Sequence, residues 1–315
     1  MDRREYLKLS SAAVAGVGLA GCTGDSGSGS GSGSGSESSG GDSSGESGDA
    51  AASGTESGGS DGGEETAAET AESVVPSNVV IGSDIPYRPF EYETAAGELK
   101  GFDVEIAQAI FEEQLGVSYE FKKTSFDTII PSLNNGNFRV IMSAMTINEE
   151  RDQEVDFSEP YFTAYQTIIV REDSDITSRE DLRGIAVGVQ KGTTGLGAAE
   201  QLQTEFDGDL QLKEYDQITG AFDALMNGQV DAVINDNTVN GEFVQNQDGV
   251  RFVEGEGAAA DQGENAPPYL TLTVENYGIA FREDDEAFRE RVNEALAAIR
   301  ENGTYEEIYS SYFAG

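Results

Sequence analysis

Ile185-Ala186-Val187-Gly188-Val189-Gln190-Lys191-Gly192-Thr193-Thr194 runs from an apolar stretch through a glycine turn to two residues suited to a helix start. Ile185 to Val189 reads as a buried strand, and Gly192-Thr193-Thr194 opens a helix. Upstream, Ser178 and Asp181 fit a capping box before Leu182, and Ile168-Ile169-Val170 is a further strand. Downstream, strands at 211–214 and 231–234 flank a helix carrying Phe222 and Leu225.

The same alternation holds from Pro76 onward. Val79-Val80-Ile81 is a short strand, followed by a loop with Pro86 and Pro89. Phe102, Ile106, Ala109 and Ile110 share one helical face, Phe121 lies on a strand, and Ser125 caps a helix with Phe126, Ile129, Ile130 and Leu133. Val140-Ile141-Met142 is another strand. Near the end, Phe288, Val292, Ala295, Leu296 and Ile299 form one stripe, Gly303 stops that helix, and Tyr305 to Phe313 form a last aromatic one. Strands alternating with helices predict an α/β fold with a mainly parallel sheet covered on both faces, built twice. No internal sequence repeat accompanies it.

Charge narrows the setting. The 315 residues carry 19 basic and 59 acidic side chains, a formal charge of −40. Such a field repels nucleic acid and anionic lipid, so neither is expected as a partner through a basic patch. In molar salt the Debye length falls to about 3 Å, and surface carboxylates stop repelling one another over distance. With lysine at only six positions, the surface reads as that of a halophile; an unusually soluble mesophilic protein is the alternative. There is no histidine, and Cys22 is the single cysteine. Zinc or thiolate chemistry and an intramolecular disulfide are therefore not expected, and no cofactor or metal is implied.

Residues 1–22 have a basic start, with Arg3 and Arg4, and a weakly apolar run from Leu9 to Ala20 that is too short for an ordinary membrane span. Arg3-Arg4-Glu5-Tyr6-Leu7-Lys8 resembles a twin-arginine export signal. Leu19-Ala20-Gly21-Cys22 resembles a lipoprotein processing box, which implies cleavage before Cys22 and lipidation of its thiol. A chance cysteine after a signal peptide, or an uncleaved helical anchor, is the competing account. Residues 23–75 are nearly all Gly, Ser, Ala, Thr, Asp and Glu. They cannot bury a core and predict a disordered tether about 40 Å from end to end, which can also serve as a glycan-bearing stalk.

Four stretches carry a family resemblance: Ser83-Asp84-Ile85-Pro86-Tyr87-Arg88-Pro89-Phe90-Glu91; Gly101-Phe102-Asp103-Val104; Met145 to Arg151 followed by Val155-Asp156-Phe157-Ser158-Glu159-Pro160-Tyr161; and Gly188 to Thr194. Weaker matches lie at Gly228 to Asp236, Tyr277-Gly278-Ile279-Ala280 and Gly303-Thr304-Tyr305. In this order they resemble the polar amino-acid family of periplasmic-type solute-binding proteins of ABC transporters (family 3), here in a haloarchaeal lipoprotein version. The resemblance implies a periplasmic-binding-protein-like fold of two lobes joined by two hinge strands. Lobe one would take 76–166 and 276–315, and lobe two 170–273. It further implies a monomer, lipid-anchored outside the cell membrane, that closes on a free amino acid and delivers it to an ABC permease with its ATPase.

Chemistry at the matched positions agrees with that reading. A closing cleft strips water from the ligand's carboxylate and ammonium. Arg151 can clamp the carboxylate through two parallel hydrogen bonds, with Ser143, Thr146 and the Ala144 amide completing its shell. Thr193 and Thr194, at a helix start, can give the same carboxylate amides and hydroxyls. By resemblance Asp236 holds the ammonium, Tyr87 and Phe126 lie against the ligand side chain, and Asp84 stands at its far end. Plainer roles exist for each: Arg151 a solvated helix residue, Asp236, Thr193 and Thr194 helix caps, Phe126 core, Tyr87 a turn aromatic, Ser143 and Thr146 strand residues. Gln190 either lines the pocket or decorates a strand end. Asp84 favours a basic or amide side chain over a second carboxylate.

Two features depart from the family pattern: Arg139 has no assigned role, and the acidic, Gly-rich stretch Glu254 to Pro268 is longer than usual. Two other functions fit the same fold. One is a cyclic-acid dehydratase-like enzyme, in which a carboxylate or lysine would do the acid–base work; an intact amino-acid shell argues for binding without catalysis. The other is a subunit presenting ligand to a sensory receptor, since the chain ends at Gly315 with no signalling domain.

Overall fold

The computed structural model describes residues 74–260, 263 and 266–313. The signal, Cys22 and nearly all of the expected tether lie outside them. Its last two residues, Val74 and Val75, pack against the hydrophobic core.

The first half contains β1 (Asn78–Ser83), a small hairpin of β2 (Tyr92–Glu93) and β3 (Leu99–Lys100), and helix α1 (Phe102–Ala107), which widens into a π-helical stretch at Gln108–Gln114. Then come β4 (Ser118–Lys123), a 3-10 turn at Phe126–Thr128, α2 (Ile129–Asn134), β5 (Val140–Ile141), β6 (Asp156–Phe157) and β7 (Phe162–Ala164). The second half contains β8 (Gln166–Arg171), β9 (Ala186–Gln190), α3 (Thr194–Glu205), β10 (Gln211–Tyr215), α4 (Ile218–Met226), β11 (Ala232–Asp236), α5 (Asn237–Asn246) and β12 (Val250–Phe252). The chain returns through β13 (Glu275–Tyr277) and β14 (Ala280–Phe281), and ends on α6 (Glu286–Glu301) and α7 (Thr304–Phe313).

Two five-stranded sheets result, with orders β4-β1-β5-β14-β6 and β10-β9-β11-β8-β12. The three leading strands of each are parallel, and the fourth, β14 or β8, runs the other way. The two sheets thus share one topology although no sequence repeat announces it. The reversed strands follow directly from β7 and β13, which pair antiparallel with Glu275 opposite Ala164. A chain arriving from the other sheet enters at the carboxyl ends of the parallel strands, so its next strand must run backwards. One reversed strand in each sheet leaves both mainly parallel, as expected. The fold is the expected α/β one: two lobes with two hinge strands.

Several local expectations shift. The helix expected after Ser125 begins as a 3-10 turn, and Ser125 makes no side-chain capping bond. The box at Ser178 closes a short 3-10 turn, where Asp181 accepts the amides of Thr177 and Ser178, each at 2.9 Å. The stripe of α6 is buried as its spacing requires. Arg139 gains a role: Nε and Nη2 donate to the two oxygens of Asp285 at 2.8 and 2.9 Å, and Nη2 also donates to the Val74 carbonyl at 3.1 Å. Its guanidinium lies 4.1 Å from the centre of the Phe288 ring. The start of the acidic loop folds back on the second hinge connection, with the Ala258 amide donating to the Thr271 carbonyl at 2.8 Å.

The core of the first lobe extends behind the hinge. Phe90, Phe102, Phe162, Tyr277 and Phe313 form one connected cluster of rings, for example Phe162 to Phe313 at 4.9 Å and Phe90 to Phe162 at 5.1 Å. Each of the four buried rings contributes about 1.5–3 kcal/mol, and the half-buried Phe313 ties α7 to them by the same apolar effect.

Candidate functional site

In open α/β sheets, ligands bind outside the carboxyl ends of the parallel strands, where side chains from successive loops converge. Here both sheets point those ends at the same gap. Asp84 and Tyr87 follow β1, Phe126 follows β4, and Ser143, Ala144, Thr146 and Arg151 follow β5. From the other sheet come Gln190 at the end of β9, Thr193 and Thr194 at the start of α3, and Asn235 and Asp236 at the end of β11. Together they line one narrow cavity. All the residues named from the sequence as ligand-binding candidates border it, and Asn235 joins them.

The cavity is bridged from lobe to lobe. The Tyr87 hydroxyl donates to Asp236 Oδ2 at 2.5 Å and lies 3.0 Å from the Asn235 side-chain amide. Gln190 Nε2 donates to Asp84 Oδ2 at 2.5 Å, and Gln217 Nε2 to the Ile85 carbonyl at 3.1 Å. Arg151 Nη1 donates to its own lobe at the Thr146 carbonyl, 2.7 Å, while Nη2 reaches the Gly192 carbonyl at 3.1 Å. Gly192 has φ +73°, and a Cβ there would stand 2.9 Å from Asp127 Cα, so only glycine fits the closed gap.

Arg151 is 8 % exposed, and no carboxylate among the described residues forms an ion pair with it. Burial lowers its pKa, opposed by the charges of Glu275 and Asp236. Phe126 lies beside it, with the guanidinium carbon 5.2 Å from the ring centre. A buried guanidinium whose partners are only neutral carbonyls leaves positive charge for an anion to meet.

Asp236 sits opposite. It accepts from Tyr87 and from Gln166 Nε2. Burial first, then the charge of Glu275, push its pKa up to about 7, against the lowering effect of its hydrogen-bond donors. Burial also raises the Asp84 carboxyl, partly offset by the amides of Gln190 and Gln217 and by Lys123.

Five donors expected to meet the ligand carboxylate are engaged elsewhere in this structure. The Ala144 amide donates to Asp103 Oδ2 at 2.9 Å, and the Ser143 hydroxyl donates to Glu91 Oε1 at 2.7 Å while accepting the Asp84 amide at 2.9 Å. Neither proton is open to a ligand carboxylate; buried Glu91 and Asp103 spend them on fixing the Ser143–Ala144 turn, where Ala144 has φ +47°. Burial holds Asp103 at a pKa of about 6 and raises Glu91 well above the carboxylate range. The Thr193 hydroxyl donates to the Gln190 carbonyl at 2.8 Å and accepts the Leu196 amide at 3.2 Å, which makes it the N-cap of α3. The hydroxyls of Thr146 and Thr194 both donate to Glu275 Oε2 at 2.7 Å, so they too cannot donate to a carboxylate. What remains for an anion is Arg151 and the first amides of α3, which have no acceptor inside the helix.

Glu275, Gln166 and Asn235 carry no role in the sequence reading. Glu275 lies two residues before the weak Tyr277-Gly278-Ile279-Ala280 match and Asn235 directly beside Asp236. Among the described residues, no His, Cys, Asp and Glu group is arranged to hold a metal ion.

The family model for bacterial extracellular solute-binding proteins, family 3, matches residues 79–315, which spans both sheets and every residue of the cavity. The chain belongs to that family. Among its relatives, the ABC transporter arginine-binding protein 1 of Escherichia coli (strain K12) is 32% identical over 232 residues, covering 74% of this chain and 89% of that one. An ancestral arginine-binding protein bound to arginine superposes with a TM-score of 0.68 at 37% identity, covering 76% of this chain and 99% of its own. The same kind of ancestral protein bound to glutamine gives 0.67 at 38% identity, with the same coverages of 76% and 99%. As a solute-binding protein the chain is thus similar to relatives named for arginine, one of them also holding glutamine.

Proposed function

We propose that this chain is the extracellular, lipid-anchored substrate-binding subunit of an ABC importer for a polar amino acid with a basic or amide side chain, acting as a binder and not as an enzyme. The observation that carries the reading is the buried Arg151 without a carboxylate partner, facing Asp236 across a closed cavity. Arg151 and the start of α3 take the α-carboxylate. Asp236 takes the α-ammonium. Tyr87 and Phe126 flank the side chain, whose polar head meets Asp84 and Gln190.

Charge decides the ligand class. Asp84 and Asp236 line the cavity with one arginine, and Glu275 stands behind it. A basic amino acid brings net positive charge to this surplus of carboxylates, an amide brings none, and glutamate adds a further negative charge that must be desolvated there. The relatives named for arginine, and the one holding glutamine, support the same class.

Outside the cavity, the −30 formal charge from Pro76 onward suits an extracellular surface in concentrated salt. The box at Leu19 to Cys22 and the acidic tether support anchoring of the folded part beside a membrane carrying the permease. The boundaries proposed for the lobes, 76–166 with 276–315 and 170–273, put the connections at the two hinge strands.

Thermal-shift measurement in high salt across the common amino acids tests the reading. Ligand at a hundredfold excess over its Kd stabilises by about 2.7 kcal/mol. Arginine, lysine, histidine or glutamine should give the largest shift. Glutamate as the best ligand, with those silent, overturns it.

A further inference from the structure

Glu275 opens the second hinge strand, 7 % exposed and behind the cavity wall. Its Oε2 accepts at 2.7 Å from the hydroxyl of Thr146, in the first lobe, and at 2.7 Å from that of Thr194, in the second. Gln166 Nε2, at the start of β8, reaches the same oxygen at 3.3 Å, and Thr273 donates to Oε1 at 2.7 Å. One carboxylate on the hinge therefore joins donors from both lobes and both connections.

The direction of those protons has a consequence. A hydroxyl has one proton and two lone pairs. With both protons directed to Glu275, the Thr146 and Thr194 hydroxyls have only lone pairs left for the cavity they line, one of those on Thr194 already accepting from Gln166 Nε2 at 3.2 Å. That wall, with Asp236 beside it, then offers a ligand acceptors only, and it adjoins Arg151, where an ammonium on the same carbon as the carboxylate would stand. We propose that Glu275 is a positioning residue that fixes this polarity, making the pocket select an α-ammonium, and that it ties the hinge to the closed form. This rests on the amino-acid reading of the cavity.

The charged and titratable groups around it are Asp236 on β11, Arg151 after β5, and Tyr277 on its own strand, with Tyr87 reaching in from the loop after β1. Glu275 raises the pKa of Asp236 and stabilises the charged form of Arg151. The carboxylate thus acts on both the carboxylate and the ammonium positions of the site without lining the cavity.

The test uses calorimetry with arginine and with its desamino analogue, 5-guanidinopentanoic acid, on wild type, Glu275→Met and Glu275→Gln. Met removes the acceptor at similar volume; the Gln amide oxygen can still accept from both threonines. Glu275→Met should weaken arginine by about tenfold or more and the desamino analogue by less than about threefold, with Glu275→Gln recovering most of the arginine loss. Equal weakening of both ligands by Glu275→Met, without recovery in Glu275→Gln, overturns the proposal and leaves a merely structural residue. If Glu275→Met does not fold, the comparison of Glu275→Gln with a Thr146→Val, Thr194→Val double variant decides it. Only the threonine variant should lose the preference for arginine over the analogue, and a preference retained in both overturns the proposal. If wild type binds none of the basic or amide amino acids, the amino-acid reading fails separately. Hydrogen exchange of the ligand-free proteins then judges the hinge tie: faster exchange at Phe162–Ala164 and Glu275–Tyr277 in Glu275→Met supports it, and unchanged exchange removes it.

Discussion

The Arg151 guanidinium donates from Nη2 to the Gly192 carbonyl, 3.1 Å away, and so connects the loop after β5 in one sheet to the end of β9 in the other. The same group holds the Thr146 carbonyl through Nη1. Positioning by carbonyls keeps the charge of Arg151 uncancelled, which is what a ligand carboxylate requires.

Replacing Arg151 therefore removes both the clamp and a lobe contact. Arg151→Ala should cost about 2–5 kcal/mol of ligand affinity, a loss of about thirtyfold to several thousandfold. Arg151→Lys should rescue little, because a point charge cannot bond two carboxylate oxygens in parallel. Calorimetry with arginine checks both; Arg151→Ala within a factor of three of wild type sinks the assignment.

Asp236 predicts the pH dependence. Its pKa of about 7 in the closed protein lies above the ordinary carboxylate value, so the folded form holds the proton more tightly than the unfolded chain. Its contribution to stability is thus present below the unfolded value and lost as pH rises through 7. Ligand binding has the opposite sign, since an ammonium favours the ionised form. Arginine affinity should be highest above pH 7 and fall by up to about tenfold per unit below it, with proton release on binding. Asp236→Asn should bind weakly with a flat profile from pH 5 to 8. A wild-type profile equally flat would exclude Asp236 as the ammonium site.

Gly192 is a test of closure. Gly192→Ala places a Cβ against Asp127 Cα at 2.9 Å in a left-handed backbone conformation. Solution scattering should show incomplete compaction on ligand addition, and arginine affinity should drop by about tenfold or more. Full compaction with unchanged affinity would mean that closure does not bring these two segments together.

Salt should govern stability. The folded part carries 16 basic and 46 acidic residues from Pro76 onward, and the exposed ion pairs around it, such as Lys191–Asp216, are worth little in water. Melting temperature should rise from dilute buffer to molar potassium chloride. No change across that range contradicts the self-repulsion argument.

Cys22 should anchor the protein. Cys22→Ser is expected to move it from the membrane fraction to the medium without altering arginine binding by the released form. A wild-type protein that is already unmodified and free in the medium would end the lipid-anchor proposal.

Much of the fold was legible because it rests on short-range pattern. The continuous apolar run at Ile185 to Val189 and the stripe from Phe288 to Ile299, with its period of 3.6 residues, report burial that neighbouring residues alone determine. Motif order brought Asp84, Arg151, Thr194 and Asp236 into one list, and tertiary structure places them around one cavity. What the side chains do there was decided elsewhere in the chain. Ala144 and Ser143 donate to Asp103 and Glu91, and Thr146 and Thr194 donate to Glu275, 129 and 81 residues away. Arg139 finds Asp285 across 146 residues. The sequence by itself determined the alternation, the charge and the residue types of the site. Only the tertiary structure decided strand direction and the ownership of each proton, because a hydrogen bond depends on angstrom distances between segments that no local pattern relates.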